Sequence, residues 1–210
     1  MVIEAQKLDS MNFHKFKHLI KSDLYRCCGK VNISLFFKHY LFVPEYKYCF
    51  WMRLTSYLKQ HRLFGCSLYY ISRAMLYRYK CKYGITIPFD TQIGSGFYIG
   101  HFGQIVVNRN AVIGKNCNIS QGVTIGVANR GDRKGCPTIG DNVYIGPGAK
   151  LFGNINVGNN VAIGANCVVT KDIPDDAVVV GVPGRVISNK GSSGYVNNTD
   201  YLKKCKKVDQ

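Results

Sequence analysis

A chain of 210 residues can bury one good core and a smaller second one, so one to two domains are expected. Lys and Arg outnumber Asp and Glu 28 to 12, a net charge of +16, and the surplus is uneven: residues 1–80 carry 14 basic against 4 acidic side chains, residues 81–189 carry 9 against 6, and residues 190–210 carry 5 against 2. No apolar run reaches the roughly 18 residues of a membrane span, the opening MVIEAQKLDSMNFHKF lacks the apolar stretch of a signal peptide, and nine cysteines without a CxxC pair or zinc spacing read as reduced thiols of a cytoplasmic protein.

In chain order, residues 1–10 read as a frayed leader. Phe13, Phe16, Ile20 and Leu24 form a helical stripe over 13–26, though Ser22 and Asp23 inside it also allow a break with Ser22 as a new N-cap. NISLFFKHYLF reads as a second helix, begun by Asn32 or Ser34 and stopped before Pro44. A third begins at Pro44, runs through Tyr48, Trp51, Leu54, Tyr57 and Leu58 and ends near Gly65, and a fourth spans Ser67 to Tyr79. This basic, aromatic-rich half has the charge to meet an anionic membrane, nucleic acid or an acidic substrate, and the same pattern suits a helical domain with a solvated basic face.

From residue 84 to residue 173 the pattern changes. Ile87, Ile93, Ile99 and Ile105 recur every six residues. After a two-residue slip Val107, Ile113, Ile119 and Ile125 continue, and Ile139, Ile145, Leu151, Val157, Ile163 and Val169 make a third series. A period of six fits neither a helix nor an ordinary half-buried strand, but it fits a solenoid in which each hexad is a short strand plus a corner. Most of the aliphatic residues precede a Gly, and Gly and Asn tolerate the positive φ of a corner. Around 18 residues per coil give about five coils and a prism roughly 24 Å tall.

These hexads, with the break GVANRGDRKGCPTIG and the closing VVTKDIPDDAVVVGVPGRVI, resemble the hexapeptide-repeat acetyltransferases of the serine acetyltransferase type and its relatives in polysaccharide gene clusters. The resemblance implies a mainly β fold: a left-handed parallel β-helix over 83–187, preceded by an α-helical N-terminal domain over 1–82 and followed by a basic C-terminal tail over 188–210. It also implies a homotrimer with three inter-subunit sites and acetyl-CoA as co-substrate, with no metal. Hexapeptide prisms also serve zinc carbonic anhydrases, but those need three His ligands and this repeat region holds one.

That one is His101. Ile99 already fills the core slot of its hexad, so packing requires no imidazole two positions later, and acetyl transfer to a hydroxyl needs a base that titrates near neutral pH. YIGHFG matches the family's catalytic His. The resemblance further places the pantetheine of acetyl-CoA against small residues at Gly126, Gly146 and Ala165, its phosphates near Lys171 and Arg185, and the oxyanion at a backbone N–H near Gly126 or Val127. Pro147 stands where a relative has Ala and so lacks one donor. The break from Val127 to Thr138 is expected to wall the acetyl-CoA site beside a neighbouring subunit.

The departures concern the acceptor. The family's Asp fifteen residues before the His is Thr86 here, the acid directly before the His is Gly100, and the His of its GDRH-type loop is Lys134. Asp90 and Asp132 are candidate replacements for the lost carboxylate. These changes remove groups that would hold an ammonium and a carboxylate, so the expected acceptor is a sugar hydroxyl of a surface polysaccharide or its precursor. Serine is the runner-up. A third reading is a non-enzymatic β-helix scaffold whose basic arm binds a membrane or nucleic acid. For the enzyme, peripheral membrane contact through the basic half remains a possible partner and nucleic acid is not expected.

Overall fold

The computed structural model describes residues 11–61 and 66–201. The expected leader, the end of the third helix near Gly65 and the last nine residues lie outside them. Four helices come first. Helix α1 (Phe13–Cys28) is opened by the Asn12 side chain, which accepts from the backbone N of Lys15, and closed by Gly29 at φ 68°. Helix α2 (Ile33–Phe42) is capped by Asn32 rather than Ser34, with the Asn32 side chain accepting from Leu35 N. Helix α3 (Pro44–Gln60) starts on Pro44, and α4 (Cys66–Tyr83) runs directly into the repeats, longer at both ends than its sequence suggests. None is long and apolar enough to cross a membrane.

Fifteen strands of two to four residues follow and stack into three faces. Face A holds β1 (Ile85–Thr86), β4 (Ile105–Val107), β7 (Thr124–Gly126), β10 (Lys150–Phe152) and β13 (Val168–Val169). Face B holds β2 (Gln92–Ile93), β5 (Val112–Ile113), β8 (Thr138–Ile139) and β11 (Asn156–Val157). Face C holds β3 (Tyr98–Ile99), β6 (Asn118–Ile119), β9 (Tyr144–Ile145), β12 (Ala162–Ile163), β14 (Val178–Val180) and an antiparallel β15 (Arg185–Ser188). All other pairings are parallel, so the repeat region is a parallel β-helix with the predicted core. Ile99, Ile119, Ile145, Ile163 and Val179 lie in register up the inside of face C, each buried. Burial of each such side chain favours folding by roughly 1.5–3 kcal/mol.

The strand register moves the two-residue slip. Ile85 pairs Ile105 and Tyr98 pairs Asn118, both 20 residues apart, whereas Val106 pairs Thr124, 18 apart. The extra residues therefore fall between Ile99 and Ile105, not between Ile105 and Val107. Ile105 leaves the first aliphatic series and stands opposite Val123, in the column of smaller core residues that continues through Ala149 and Cys167. A second insertion follows β7: Val112 pairs Thr138 and Thr124 pairs Lys150, each 26 apart, which is eight more than the regular coil. The edge between faces B and C stays regular. There Asn116, Asn142, Asn160 and Asp176, all at φ 56–58°, form a ladder in which each Asn donates to the side-chain oxygen of the next residue at 2.8–3.0 Å.

Helix α1 does not break at Ser22. Ser22 and Asp23 are buried because they face the prism: Ser22 Oγ accepts from Gly96 N at 3.0 Å and Asp23 Oδ1 from Phe97 N at 2.8 Å. Arg53 of α3 closes the junction, donating to Asp23 at 3.0 and 3.4 Å and to the carbonyls of Ile93 and Gly94 at 2.8 and 2.7 Å. Arg26 adds bonds to Gly96 O at 3.1 Å and to the Asn118 side chain. Burial drives the Asp23 carboxyl above the usual carboxylate range, with Arg53 opposing the shift.

The described part of the expected tail is a strap. From β15 the chain returns down the prism: Ser192 bonds to Asn160 O and Asn142 O, Tyr195 stacks on Tyr144 at 4.6 Å, and Tyr201 is buried against α1 with its hydroxyl 2.9 Å from Ser95 Oγ. It thus ties the last coils to the helical domain.

Candidate active site

Both insertions border face A. The two-residue one lengthens the corner 100–104 on the edge between faces C and A, and the eight-residue one lies on the edge between faces A and B. A regular corner keeps its side chains close to the prism wall. The longer corner carries His101 and Phe102 outward, and both are exposed. The corner is nevertheless fixed. Gly100 N donates to Ile119 O at 2.8 Å, Gly103 O accepts from Gly122 N at 2.9 Å, and the Phe102 ring packs 5.6 Å from that of Tyr83. Gly103 supplies φ 110°, a value that favours glycine.

Among the described residues the His101 ring has no hydrogen-bond partner, so its nitrogens are open to a ligand. The two acids expected to replace the lost carboxylate are elsewhere. Asp90 sits on the edge between faces A and B, where it pairs with Lys59 at 3.6 Å and Arg109 at 3.2 Å. Asp132 lies exposed at the tip of the insertion. Thr86 lies in β1 beside Val106 of β4, the strand that follows the His101 corner. The carboxylate that does reach the His101 corner is one the sequence did not single out: Glu45 in the first turn of α3, whose Oε1 accepts from Phe102 N at 3.3 Å. As a first-turn acid it looks in sequence like a helix-dipole partner and nothing more.

The eight-residue insertion forms a small hairpin. Ala128 and Gly135 exchange backbone bonds at 2.9 and 3.0 Å, Arg133 O accepts from Asn154 N at 2.9 Å, and the Arg133 guanidinium pairs with Asp172 at 3.1 Å. Asp172 also accepts from Asn156 N, and these bonds hold its carboxyl below the usual range. Lys134 and Val127 are exposed, and Lys171 is exposed next to Asp172. Ala165 is exposed on the same edge as His101, further up the prism, and Arg185 is exposed in β15. Lys150, also missed in sequence, lies on face A near that edge, where it donates to Gly122 O and, at 3.1 Å, to Thr124 Oγ1.

Two of the glycines assigned to the co-substrate have another reason to be glycine. A Cβ on Gly126 would lie 2.2 Å from the Phe152 ring, and one on Gly146 would lie 2.8 Å from Ile163 O, whose oxygen also takes the Gly146 N–H. Gly146 is buried against the backbone of the neighbouring coil, and Gly126, half-buried, lies beneath the Phe152 ring. Among the described residues no group of His, Cys, Asp and Glu stands close enough to hold a metal ion, and Cys27, Cys28, Cys49, Cys81, Cys117, Cys136 and Cys167 are free thiols.

The family description "Bacterial transferase hexapeptide (six repeats)" matches residues 136–171. The chain is 38% identical over 131 residues to a serine acetyltransferase of Synechococcus elongatus and 39% identical over 136 residues to one of Staphylococcus aureus. These matches take in 62% and 65% of this chain and span 54% and 64% of the two relatives. Among solved structures, the serine acetyltransferase of Brucella abortus strain S19 superposes with a TM-score of 0.71 at 31% identity, over 86% of this chain and 72% of that one. The same enzyme in complex with coenzyme A gives a TM-score of 0.71 at 29% identity, over 85% and 70%.

Proposed function

Because the chain belongs to the hexapeptide-repeat acetyltransferases of the serine acetyltransferase type, we propose that it moves an acetyl group from acetyl-CoA to a hydroxyl, with His101 as general base. The observation that carries this reading is the exposed, unpartnered His101 on a corner lengthened by two residues. His101 takes the hydroxyl proton, the oxygen attacks the thioester carbonyl, and a backbone N–H near Val127 meets the oxyanion. Collapse expels the CoA thiolate, which takes the proton back from His101, leaving an O-acetyl ester and free CoA thiol. Acetyl-CoA would lie along face A, its phosphates near Lys171 or Arg185, on the Ala165 and Val127 sides rather than over the covered Gly126 and Gly146.

The names of the relatives favour L-serine as acceptor, ahead of the sugar hydroxyl expected from the sequence. The saccharide is kept as a second reading by Thr86, Gly100 and Lys134, which stand where serine-recognition groups were expected. The non-enzymatic scaffold ranks last. Release of free thiol from acetyl-CoA, measured with L-serine and with glycans offered separately, decides among the three: turnover with serine supports the first, turnover with glycans alone the second, and none with either the scaffold.

The proposed assembly is a left-handed prism in a homotrimer. His101 and the hairpin with Lys134 stand at the two borders of face A, and in the proposed trimer a neighbouring copy would close over that face, which makes three inter-subunit sites. The membrane contact rests on α2, where Ile33, Phe37, Leu41 and Phe42 are exposed within the strongly basic half of the chain.

A further inference from the structure

Beside the His101 corner lies a cavity of about 180 Å³ between the helical domain and face C. Gly100 borders it, which brings it to the residue next to His101, and Glu45, His39, Tyr98 and Cys27 line it among others. Burial pushes the Tyr98 hydroxyl and the Cys27 thiol up, so both stay neutral. No Lys, Arg or second acid is among the lining residues, so Glu45 is the cavity's carboxylate. Its Oε1 holds Phe102 N, while Oε2 has no hydrogen-bond partner among the described residues. His39 Nδ1 stands 2.9 Å from Leu35 O; a carbonyl can only accept, so Nδ1 donates. The cavity therefore offers hydrogen-bond acceptors and one negative charge, a combination that suits an ammonium group. A Cβ at Gly100 would stand in ordinary van der Waals contact with Ile119 O, Ser120 Oγ and the Tyr98 ring at 3.7–3.9 Å, so a larger side chain there would crowd the passage between the cavity and His101.

We infer that Glu45 is the acceptor-recognition residue: it binds the ammonium group of an amino-alcohol acceptor whose hydroxyl is thereby presented to His101. This rests on the reading of His101 as the base. It assigns to the helical domain a carboxylate that positions 86 and 100 of the prism do not supply. The chemistry is an ammonium close to a hydroxyl, and either L-serine or an amino sugar provides it.

The test uses the full chain with acetyl-CoA and two acceptor pairs, L-serine against 3-hydroxypropionate and D-glucosamine against D-glucose. Glu45→Gln keeps an oxygen for Phe102 N but removes the charge. It should raise KM for the amine-bearing acceptor by about ten- to a hundred-fold, with kcat, the KM for acetyl-CoA and the melting temperature nearly unchanged. Glu45→Asp should recover part of the loss, and the amine-free acceptor should be unaffected. Whichever amine-bearing acceptor shows the split identifies the source. An equal loss for both members of a pair would mean that Glu45 only braces the corner, and an unchanged KM would remove it altogether; either overturns the proposal. Wild type that acetylates neither amine-bearing acceptor also overturns it. His101→Ala separates the two readings: if it is inactive while Glu45→Gln behaves as wild type, this inference alone fails, and if it retains activity the assignment of the base fails first.

Discussion

Arg53→Met is the perturbation that most directly tests how the helical domain is fixed to the prism. Arg53 makes four hydrogen bonds in a buried setting, two to Asp23 and one each to Ile93 O and Gly94 O. Methionine fills much of the volume but leaves the Asp23 carboxylate buried without its countercharge. Breaking one side of a buried pair costs about 3–5 kcal/mol, a large part of the 5–15 kcal/mol that typically separates folded from unfolded chains. With a urea slope of about 1–3 kcal/mol/M, the midpoint should fall by about 1–5 M at pH 7. The deficit should also depend on pH. Burial already raises the folded-state pKa of Asp23 above its unfolded value, and loss of the guanidinium removes the main opposing influence. A carboxyl with a raised folded pKa costs stability above that pKa, and the cost disappears as pH falls below the unfolded value. The gap between variant and wild type should therefore narrow on acidification as Asp23 takes up its proton. A midpoint shift under about 0.5 M, or a deficit that stays constant from pH 7 to pH 5, would refute this account of the junction.

His101→Ala and His101→Asn should each lose about 10² to 10⁴ in turnover, with assembly and melting temperature nearly unchanged, and the rising limb of kcat/KM with pH should vanish in both; steady-state kinetics with most activity retained would reduce the corner 100–104 to packing. Light scattering should report a threefold assembly, and a species of 23.5 kDa alone would remove the shared site. Co-sedimentation with anionic vesicles should fall steeply as salt rises and weaken in Phe37→Asp. Binding that is equal on neutral vesicles, or absent at low salt, would leave α2 without a membrane role.

The β-helix was legible because its core is a column of side chains at fixed spacing, and a periodic core leaves a periodic sequence. Asn32 and Pro44 likewise marked helix starts through local chemistry that needs no knowledge of the rest of the chain. What stayed hidden depended on contacts distant in sequence. Asp23 within an apolar stripe looked like a helix break, because only Gly96, Phe97 and Arg53 show why an acid is buried there. The segment after Ser188 has no period and reads as a tail, yet its Ser192, Tyr195 and Tyr201 find partners on coils far back in the chain. Gly126 and Gly146 were visible as glycines, but sequence alone cannot distinguish a glycine that admits a ligand from one that admits the next coil. Glu45 was invisible for the same reason: its hydrogen bond is to a corner 57 residues away.

The two breaks in the period carry more information than either does alone. An insertion into a β-helix has to leave at a corner, because a residue added within a strand would turn every following side chain to the wrong side of the wall. Three edges were open to each insertion, and the two that occur border the same face. Face B has one lengthened corner beside it and face C the other, so face A alone lies between both. It bears His101 at one border and the Arg133–Asp172 clasp of the hairpin at the other. The remaining edge keeps its unbroken Asn ladder, which tolerates no added residue without losing a rung. A ligand that lies along face A meets a built wall on each side, whereas one placed on face B or face C would meet such a wall on one side only. That asymmetry is the reason to look for acetyl-CoA on face A even though Gly126 on that face lies under the Phe152 ring, and it leaves the acceptor to approach His101 from the side of the helical domain, where Glu45 stands.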